Sequence, residues 1–296
     1  MFFAVYIGVK NILKELKTRP IIINSTQNIE SELKEVIYSS SDVDKKLATN
    51  YLRLIKETEK QLSSEAAVNV AVSKEDAEYL KTKLKAQNIV LAPNGIDRWK
   101  VSQKDVDNIK KLNRRECIER LVIFVGSAHK PNFNGFVSLL GKAVGFLPYD
   151  TRIVVLGGVS DLIQSSLKPG VIEDACFTER VNLLGRVEEN ILSAYLELAN
   201  CVILPITEGG GSNLKTAEAL LSGKHIVATS HSFRGYDEYI SLPQVHIADN
   251  PEVFKKEIIK SINTPPPNLS SSQKKLIDRV MWQHTLNKLI VKVSEL

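Results

Sequence analysis

CVILPITEGGGSNLKTAEALLSGKHIVATS, residues 201–230, decides how this chain is read. Cys201 to Ile206 is an apolar run with the length of a buried strand. Three consecutive glycines, Gly209 to Gly211, break it. Ser212 is a favourable N-cap for a helix that closes at Gly223, and a second apolar strand follows at Ile226 to Ala228. Strand, glycine turn and helix start together build an anion site. Free backbone N–H groups at a helix N-terminus point at the ligand, and the macrodipole favours negative charge there. Glycine lets the backbone approach a phosphate with no side chain between. The segment therefore predicts a diphosphate cradle.

The helix adds a second clue. Leu214, Ala217 and Leu221 fall at helical spacing and make its inward stripe. Glu218 lies four residues after Leu214 and is expected on the same buried side, where a carboxylate costs free energy unless it finds donors. Lys215, three residues before Glu218, neighbours it on the helix surface. Two readings stand. One is an ordinary Lys215–Glu218 surface pair. In the other, Lys215 meets a phosphate and Glu218 accepts hydrogen bonds from sugar or ribose hydroxyls.

A chain of 296 residues can bury a large core and is expected to split into two domains. With 43% hydrophobic and 25% charged residues it reads as an ordinary soluble globular protein. A net charge of +5 is compatible with anionic substrates or a membrane surface and does not indicate nucleic acid. No apolar run reaches 18 residues, so no transmembrane helix is expected. The cysteines, Cys117, Cys176 and Cys201, are odd in number, widely spaced and without zinc spacing, which fits a reduced, cytoplasmic location. MFFAVYIGV at the start lacks a basic leader and a clear cleavage site. It runs into a segment with Ile12, Leu13 and Leu16 inward, stopped by Pro20, and reads as a core helix.

Along the chain, a strand is expected at Ile21 to Asn24, then a polar loop, STQNIESEL. A helix from about Asp44 to Leu62 has Leu47, Tyr51, Leu54, Ile55 and Leu62 on its apolar side. Val68 to Val72 is a strand, and Ser73 with Asp76 forms a capping box. Ile89 to Leu91 is a strand ended by the Asn94-Gly95 turn. From Leu121 strands and helices alternate cleanly through LVIFVG, RIVVLGG, VNLLG, the 201–230 stretch and QVHIA. Asn250 and Pro251 open a helix, Pro265 to Pro267 break the chain, and a last long helix is expected from about Ser272 to Val293. Near-continuous apolar strands alternating with helices predict an α/β protein with parallel sheets covered on both faces. Ligands of such sheets bind beyond the carboxyl ends of the strands.

The order of these motifs resembles the retaining glycosyltransferases of family 4 (glycosyl transferases group 1), from about Pro20 onward. PIIINSTQNIESEL, VNVAVSKEDAEYL, IVLAPNGID, FVGSAHKPNFNGF, VNLLGRVEENILSAYLELANCVILPI and GGGSNLKTAEALLSGKHIVAT each look like a piece of that family. Each piece is weak alone; their order and spacing together are fairly specific. The resemblance implies a GT-B type fold of two Rossmann-like domains with parallel sheets, the N-terminal one truncated. It implies residues 1–100 as the partial acceptor-side domain and 101–120 as linker and connecting helix. Residues 121–270 would be the nucleotide-sugar donor domain, and 271–296 a C-terminal helix packing back toward the N-terminal domain.

The resemblance also implies roles. Glu218 matches the second glutamate of the family's paired-glutamate motif, which binds ribose hydroxyls. Gly210 stands where the first glutamate is expected, and Glu208 falls two residues too early. Lys215 matches the lysine that faces the diphosphate, and with Glu218 makes the implied catalytic pair. Donor binding is implied for Ser127, Lys130 and Asn132 in the loop after the first strand of the donor domain. It is implied also for Gly185 and Arg186 near the nucleobase, and for Gly210, Gly211, Ser212, Asn213 and Leu214 around the diphosphate. The glycine-rich opening of the family and its catalytic-side histidine are not matched, since no histidine precedes His129. A truncated reading frame, one half of a split enzyme whose partner chain supplies the rest, and a natural reduced form all stay open.

The expected activity is transfer of a sugar from a UDP- or GDP-sugar to an unknown acceptor, glycan or lipid-linked, with retention. No metal and no cofactor are expected, the donor being a substrate. The alternative is a non-catalytic or partner-dependent nucleotide-sugar-binding subunit. The net charge and apolar start permit peripheral contact with the inner face of a membrane. VLGGVSDL is only a faint imitation of a dinucleotide fingerprint, with no acidic residue at the right place, and argues against an oxidoreductase. His225 and His246 flank strands and read as structural. His129, His231, Arg234 and Gly235 are expected in loops near the donor sugar or in plain surface turns.

Overall fold

All nine strands among the described residues pair in parallel, which is the arrangement that the alternating apolar strands and helices predict. The protein is described from a computed structural model that covers residues 9, 11–13, 15–18, 20–39, 43–209 and 213–296. It divides into two units: described residues up to Asn94 together with Trp282–Leu296, and Gly95–Gly209 together with Asn213–Met281.

The first unit runs β1 (Ile23–Thr26), α1 (Glu30–Ser39), α2 (Lys45–Glu65), β2 (Val68–Ala71), α3 (Lys74–Thr82) and β3 (Ile89–Leu91). The sheet order is β1-β2-β3. Asp44 caps α2, its carboxylate accepting from the N–H groups of Lys46 and Leu47, and Ser73 caps α3 by accepting from Asp76 N–H. Val68, Val70, Val90 and Ala92 form one small apolar cluster, and Ala71, Leu80, Leu84 and Ala86 another.

Several expectations fail in this unit. The STQNIESEL stretch is no loop throughout: β1 extends to Thr26 and α1 begins at Glu30. Ile29, Leu33, Val36 and Ile37 fall at helical spacing, a signal that the polar residues between them masked. The inward face of α2 is Ala48, Ile55, Thr58, Glu59 and Ser63, whereas Leu47 and Tyr51 are exposed. Two of its polar members find a partner nearby: Thr58 Oγ1 donates to Leu54 O, and Glu59 Oε1 accepts from Ser31 N–H at 3.2 Å. Residues 9, 11–13 and 15 are helical, but Ile12 is 61% exposed and Leu16 is exposed as well, so this is not a core helix. Residues 1–8 lie outside the described residues.

The second unit runs α4 (Gln103–Arg115), β4 (Arg120–Val125), α5 (Lys130–Leu139), β5 (Thr151–Leu156), α6 (Val159–Ser165), α7 (Ile172–Thr178), β6 (Val181–Gly185), α8 (Glu189–Leu198), β7 (Cys201–Leu204), α9 (Leu214–Ser222), β8 (His225–Ala228), β9 (Val245–Ile247), α10 (Pro251–Ile262) and α11 (Ser271–Asp278). Its sheet order is β6-β5-β4-β7-β8-β9. This is the doubly-wound order, with its reversal between β4 and β7. Those two strands pair in the register Val122↔Cys201 and Ile123↔Val202.

Both faces of this sheet are covered. One carries Leu121, Ile123, Leu204, Leu220, Ile226 and Phe233; the other carries Phe124, Phe136, Phe177, Ile203, Phe254 and Ile258. Phe136 stacks on Phe124 with centroids 5.6 Å apart and meets Phe177 edge-on at 6.3 Å. The segment expected as linker and connecting helix holds α4, whose Val106 and Ile109 are buried in the first of these clusters.

The chain ends with α12 (Trp282–Thr285) and α13 (Asn287–Ser294), so the expected single long helix from Ser272 to Val293 is broken into three. Leu289 of α13 packs on the Val68–Val90 cluster of the first unit. The carboxyl-terminal third of the sequence thus contributes to both units.

Candidate functional site at the sheet's reversal point

The loops after β4 and β7 lie side by side because these strands are neighbours at the reversal. Helix α5 rests directly on the β7 loop. A Cβ on Gly135 would stand 1.7 Å from the Pro205 carbonyl oxygen, so only glycine fits there. Next to this contact, Asn134 Nδ2 donates to Glu208 Oε1 at 2.8 Å.

The ends of β4, β5 and β6 make a floor of bare backbone. Gly157 has φ +89°, and a Cβ there would lie 2.3 Å from the Gly126 carbonyl oxygen. Gly126 N–H donates to Leu156 O at 2.8 Å, and Gly157 N–H donates to Gly185 O at 2.6 Å. Three strand ends therefore meet with no side chain between them.

Lys215 stands at the second position of α9, in its first turn. Its Nζ donates to Asn132 Oδ1 at 2.7 Å. Asn132 is buried and donates in turn to Ser127 O at 2.8 Å and to Ser127 Oγ at 3.2 Å. This chain ties the β4 loop, α5 and α9 together, joining residues 83 apart. Burial pulls the Lys215 ammonium down from 10.5 to about 8, opposed by the Glu218 carboxylate one turn on. Burial likewise raises the Glu218 carboxyl, and Lys215 offsets part of that rise. The pair is thus partly desolvated, which rules out a plain surface ion pair.

Sequence reasoning passed over Tyr236, although SFRGYDE had drawn notice for Arg234 and Gly235. Tyr236 is buried, its hydroxyl has no hydrogen-bond partner among the described residues, and its pKa is raised by burial and then by the Glu218 charge. A tyrosine after a glycine turn was the available signal.

The segment after β8 grips the start of α9. Asn213 Nδ2 donates to the carbonyls of His231 and Ser232, each at 3.3 Å, and Thr216 Oγ1 donates to Ser232 O at 2.5 Å. Gly209 O lies 3.1 Å from His231 Nε2 and 3.3 Å from Arg234 Nη1.

The expected site residues fall as follows. Ser127, Asn132, Asn213, Lys215 and Glu218 are brought into or beside this network. Lys130 is exposed at the first position of α5. Gly185 ends β6 with φ +66°, and Arg186 after it is exposed. Gly210, Gly211 and Ser212 lie outside the described residues, so Ser212 as a cap is not placed; Asn213 immediately precedes the helix. The inward stripe of α9 is corrected. Leu214 is 38% exposed, and the buried face is Thr216, Ala217, Ala219 and Leu220. A short helix starting against backbone turns its first residue outward, which spacing alone did not reveal.

His225 and His246 are structural partners. His225 Nδ1 lies 3.0 Å from His246 Nε2, and His225 Nε2 lies 3.1 Å from Pro265 O. Burial and the neighbouring His225 lower the His246 pKa.

Residues 119–264 match the family described as glycosyl transferases group 1, a stretch that covers the six-stranded sheet and the network just described. No curated protein sequence matches the chain. Solved structures share its fold. HepE of Anabaena in complex with UDP superposes with a TM-score of 0.69 at 14% identity, over 99% of this chain and 76% of HepE. Sucrose-phosphate synthase of Thermosynechococcus elongatus gives 0.67 at 15% identity, over 99% and 71%. WaaG, a glycosyltransferase involved in lipopolysaccharide biosynthesis, gives 0.57 at 14%, over 98% and 80%. Fold and domain match together make this protein a glycosyltransferase with the GT-B fold. Among the described residues no helix is long and apolar enough to cross a membrane.

Proposed function

We propose that the protein transfers a sugar from a nucleotide diphosphate sugar to a glycan or lipid-linked acceptor with retention of the anomeric configuration, and that the second unit holds the donor. One observation carries this reading: a desolvated lysine in the first turn of a helix, held by a buried asparagine from the neighbouring loop at the sheet's reversal point. A buried cation invites an anion, and a helix N-terminus favours the same charge. A diphosphate oxygen would replace Asn132 Oδ1 on Lys215 Nζ. Glu218, one turn on along α9, would accept from ribose hydroxyls. Ser127, Lys130 and the backbone around Gly209 to Leu214 would complete the diphosphate's surroundings, and Gly185 and Arg186 the nucleobase's.

In the reaction the bond from the anomeric carbon to the diphosphate oxygen breaks, and negative charge grows on the leaving diphosphate. Lys215 and the α9 N-terminus are placed to stabilise that growth, which is where preorganised electrostatics lowers a barrier most. The acceptor oxygen bonds to the anomeric carbon on the face the diphosphate leaves, and its proton passes to the departing group. HepE has been solved with UDP-glucose, and a trehalose-6-phosphate protein from E. coli with UDP-2-fluoro glucose, which supports a UDP-sugar as the first donor to try. The three unpaired thiols favour a reducing, cytoplasmic setting.

The test is turnover of UDP-glucose and GDP-mannose, followed by UDP or GDP release. Lys215→Ala is expected to lower the rate about 10²–10³-fold, the loss typical of removing one charge-stabilising donor. An unchanged rate defeats the assignment of Lys215. Nucleotide binding without release under any condition selects the binding-subunit reading instead.

A further inference from the structure

The first unit contains a cavity of about 250 Å³ under the turn from β1 into α1, lined by residues Asn24 to Glu30 and by Glu59, Leu62, Ser63 and Leu84. Its volume is well above what one ordered water needs and just below the range of ~300–1,000 Å³ for small-molecule sites. Two of its polar atoms are orphaned. Glu59 is 7% exposed and Ser63 is 2% exposed, yet Glu59 Oε2 and Ser63 Oγ have no hydrogen-bond partner among the described residues. They lie one helical turn apart on α2, so they share a face. Buried polar atoms without partners are costly and uncommon, and two in one cavity call for a ligand.

Three other polar side chains of the lining are engaged. Asn24 Nδ2 donates to Asn69 Oδ1, Thr26 Oγ1 to Val70 O, and Gln27 Oε1 accepts from Asn94 Nδ2. Glu59 Oε1 is held by Ser31 N–H. No lysine, arginine or histidine is among the lining residues, whereas two carboxylates, Glu30 and Glu59, are. An anion is therefore disfavoured. Ile29, Leu62 and Leu84 supply an apolar wall. Hydroxyl-accepting groups together with apolar side chains in one cavity suit a ring with polar edges and a C–H face.

We infer that this cavity binds a neutral polyhydroxylated ring of monosaccharide size, its hydroxyls reaching Glu59 Oε2 and Ser63 Oγ and its C–H face resting on Leu62 and Leu84. The inference does not depend on the donor reading, because every lining residue belongs to the first unit. A free sugar and the end of a longer glycan present the same chemistry, and methyl glycosides and disaccharides in the panel tell them apart.

The experiment is ligand-observed NMR titration of the full chain with glucose, galactose, mannose and N-acetylglucosamine, their methyl glycosides and a disaccharide of each, with UDP binding measured in parallel. At least one is expected to bind saturably. Glu59→Gln, which keeps the Ser31 bond, and Ser63→Ala, which removes a hydroxyl with no partner, are each expected to weaken it about tenfold. UDP affinity should stay unchanged in both variants. No saturable binding by any of these sugars, or binding that both variants leave intact, would overturn the inference.

Discussion

Lys215 carries a dependence on pH with opposite signs in two measurements. In the folded protein its pKa is about 8, against 10.5 for the free group. Between these values the unfolded chain binds more protons than the native one. Stability from this group therefore rises with pH across that window, and below about 8 the buried charge is destabilising in full. Lys215→Met is expected to abolish this rise in denaturant titrations. Nucleotide binding runs the other way. A phosphate needs the ammonium form, so UDP affinity should fall as pH climbs past about 8. Lys215→Arg, charged throughout, should flatten that fall in titrations spanning about pH 7 to 9.5. A wild-type affinity that stays level across that range would count against a Lys215–phosphate contact. The residue types at positions 215 and 218 were readable from the sequence. Their setting was not, because the partner of Lys215 is Asn132, and nothing in local periodicity reports a contact across the sheet's reversal. The same holds for Tyr236, whose nearness to Glu218 arises only once the loop after β8 folds back over α9.

At the scale of elements, the contact of α5 with the β7 loop is the sharpest constraint. Gly135→Ala places a methyl carbon inside the space of the Pro205 oxygen, so the helix must move. A loss of ~3 kcal/mol is expected in thermal or urea unfolding, the upper range for overpacking. UDP affinity should fall with it, because Asn132 sits on the same helix. A variant with unchanged stability would mean that α5 does not rest there. Elements with strong periodicity, such as the strands from Leu121 onward, were legible within a residue or two. Helix α1 was not, although Ile29, Leu33, Val36 and Ile37 fall at helical spacing; they are set among polar residues, and within the helix only Ser31 is buried. Helix α2 was found with its face partly placed: Ile55 is buried and Leu54 and Leu62 are half-buried, but Leu47 and Tyr51 are exposed, because the inward face includes Thr58, Glu59 and Ser63, which the pattern of apolar residues does not encode. The final helix was drawn too long for a similar reason: it divides where the chain passes from one unit to the other.

At the scale of the molecule, the two units differ in how much core they own. Among the described residues, the second has extensive apolar clusters on both faces of six strands, and the first has two clusters of four buried residues each. Calorimetry is expected to show two transitions, with the first unit melting at the lower temperature. UDP at about a hundredfold excess over its Kd should stabilise only the upper one, by ~2.7 kcal/mol. A single transition that shifts as a whole with UDP would refute the separation.

The floor made by Gly126, Gly157 and Gly185 is specified by what is missing. Most positions in a protein drift through a series of near neighbours in size, but the absence of a side chain has no near neighbour. Substitution at Gly126 or Gly157 would drive new atoms into Val159 or into the Gly126 carbonyl, so change there is all-or-nothing. The loops that rise from the same strand ends face no such restriction and are free to vary in length and chemistry. Such a site can exchange its selectivity over evolutionary time while its floor stands still.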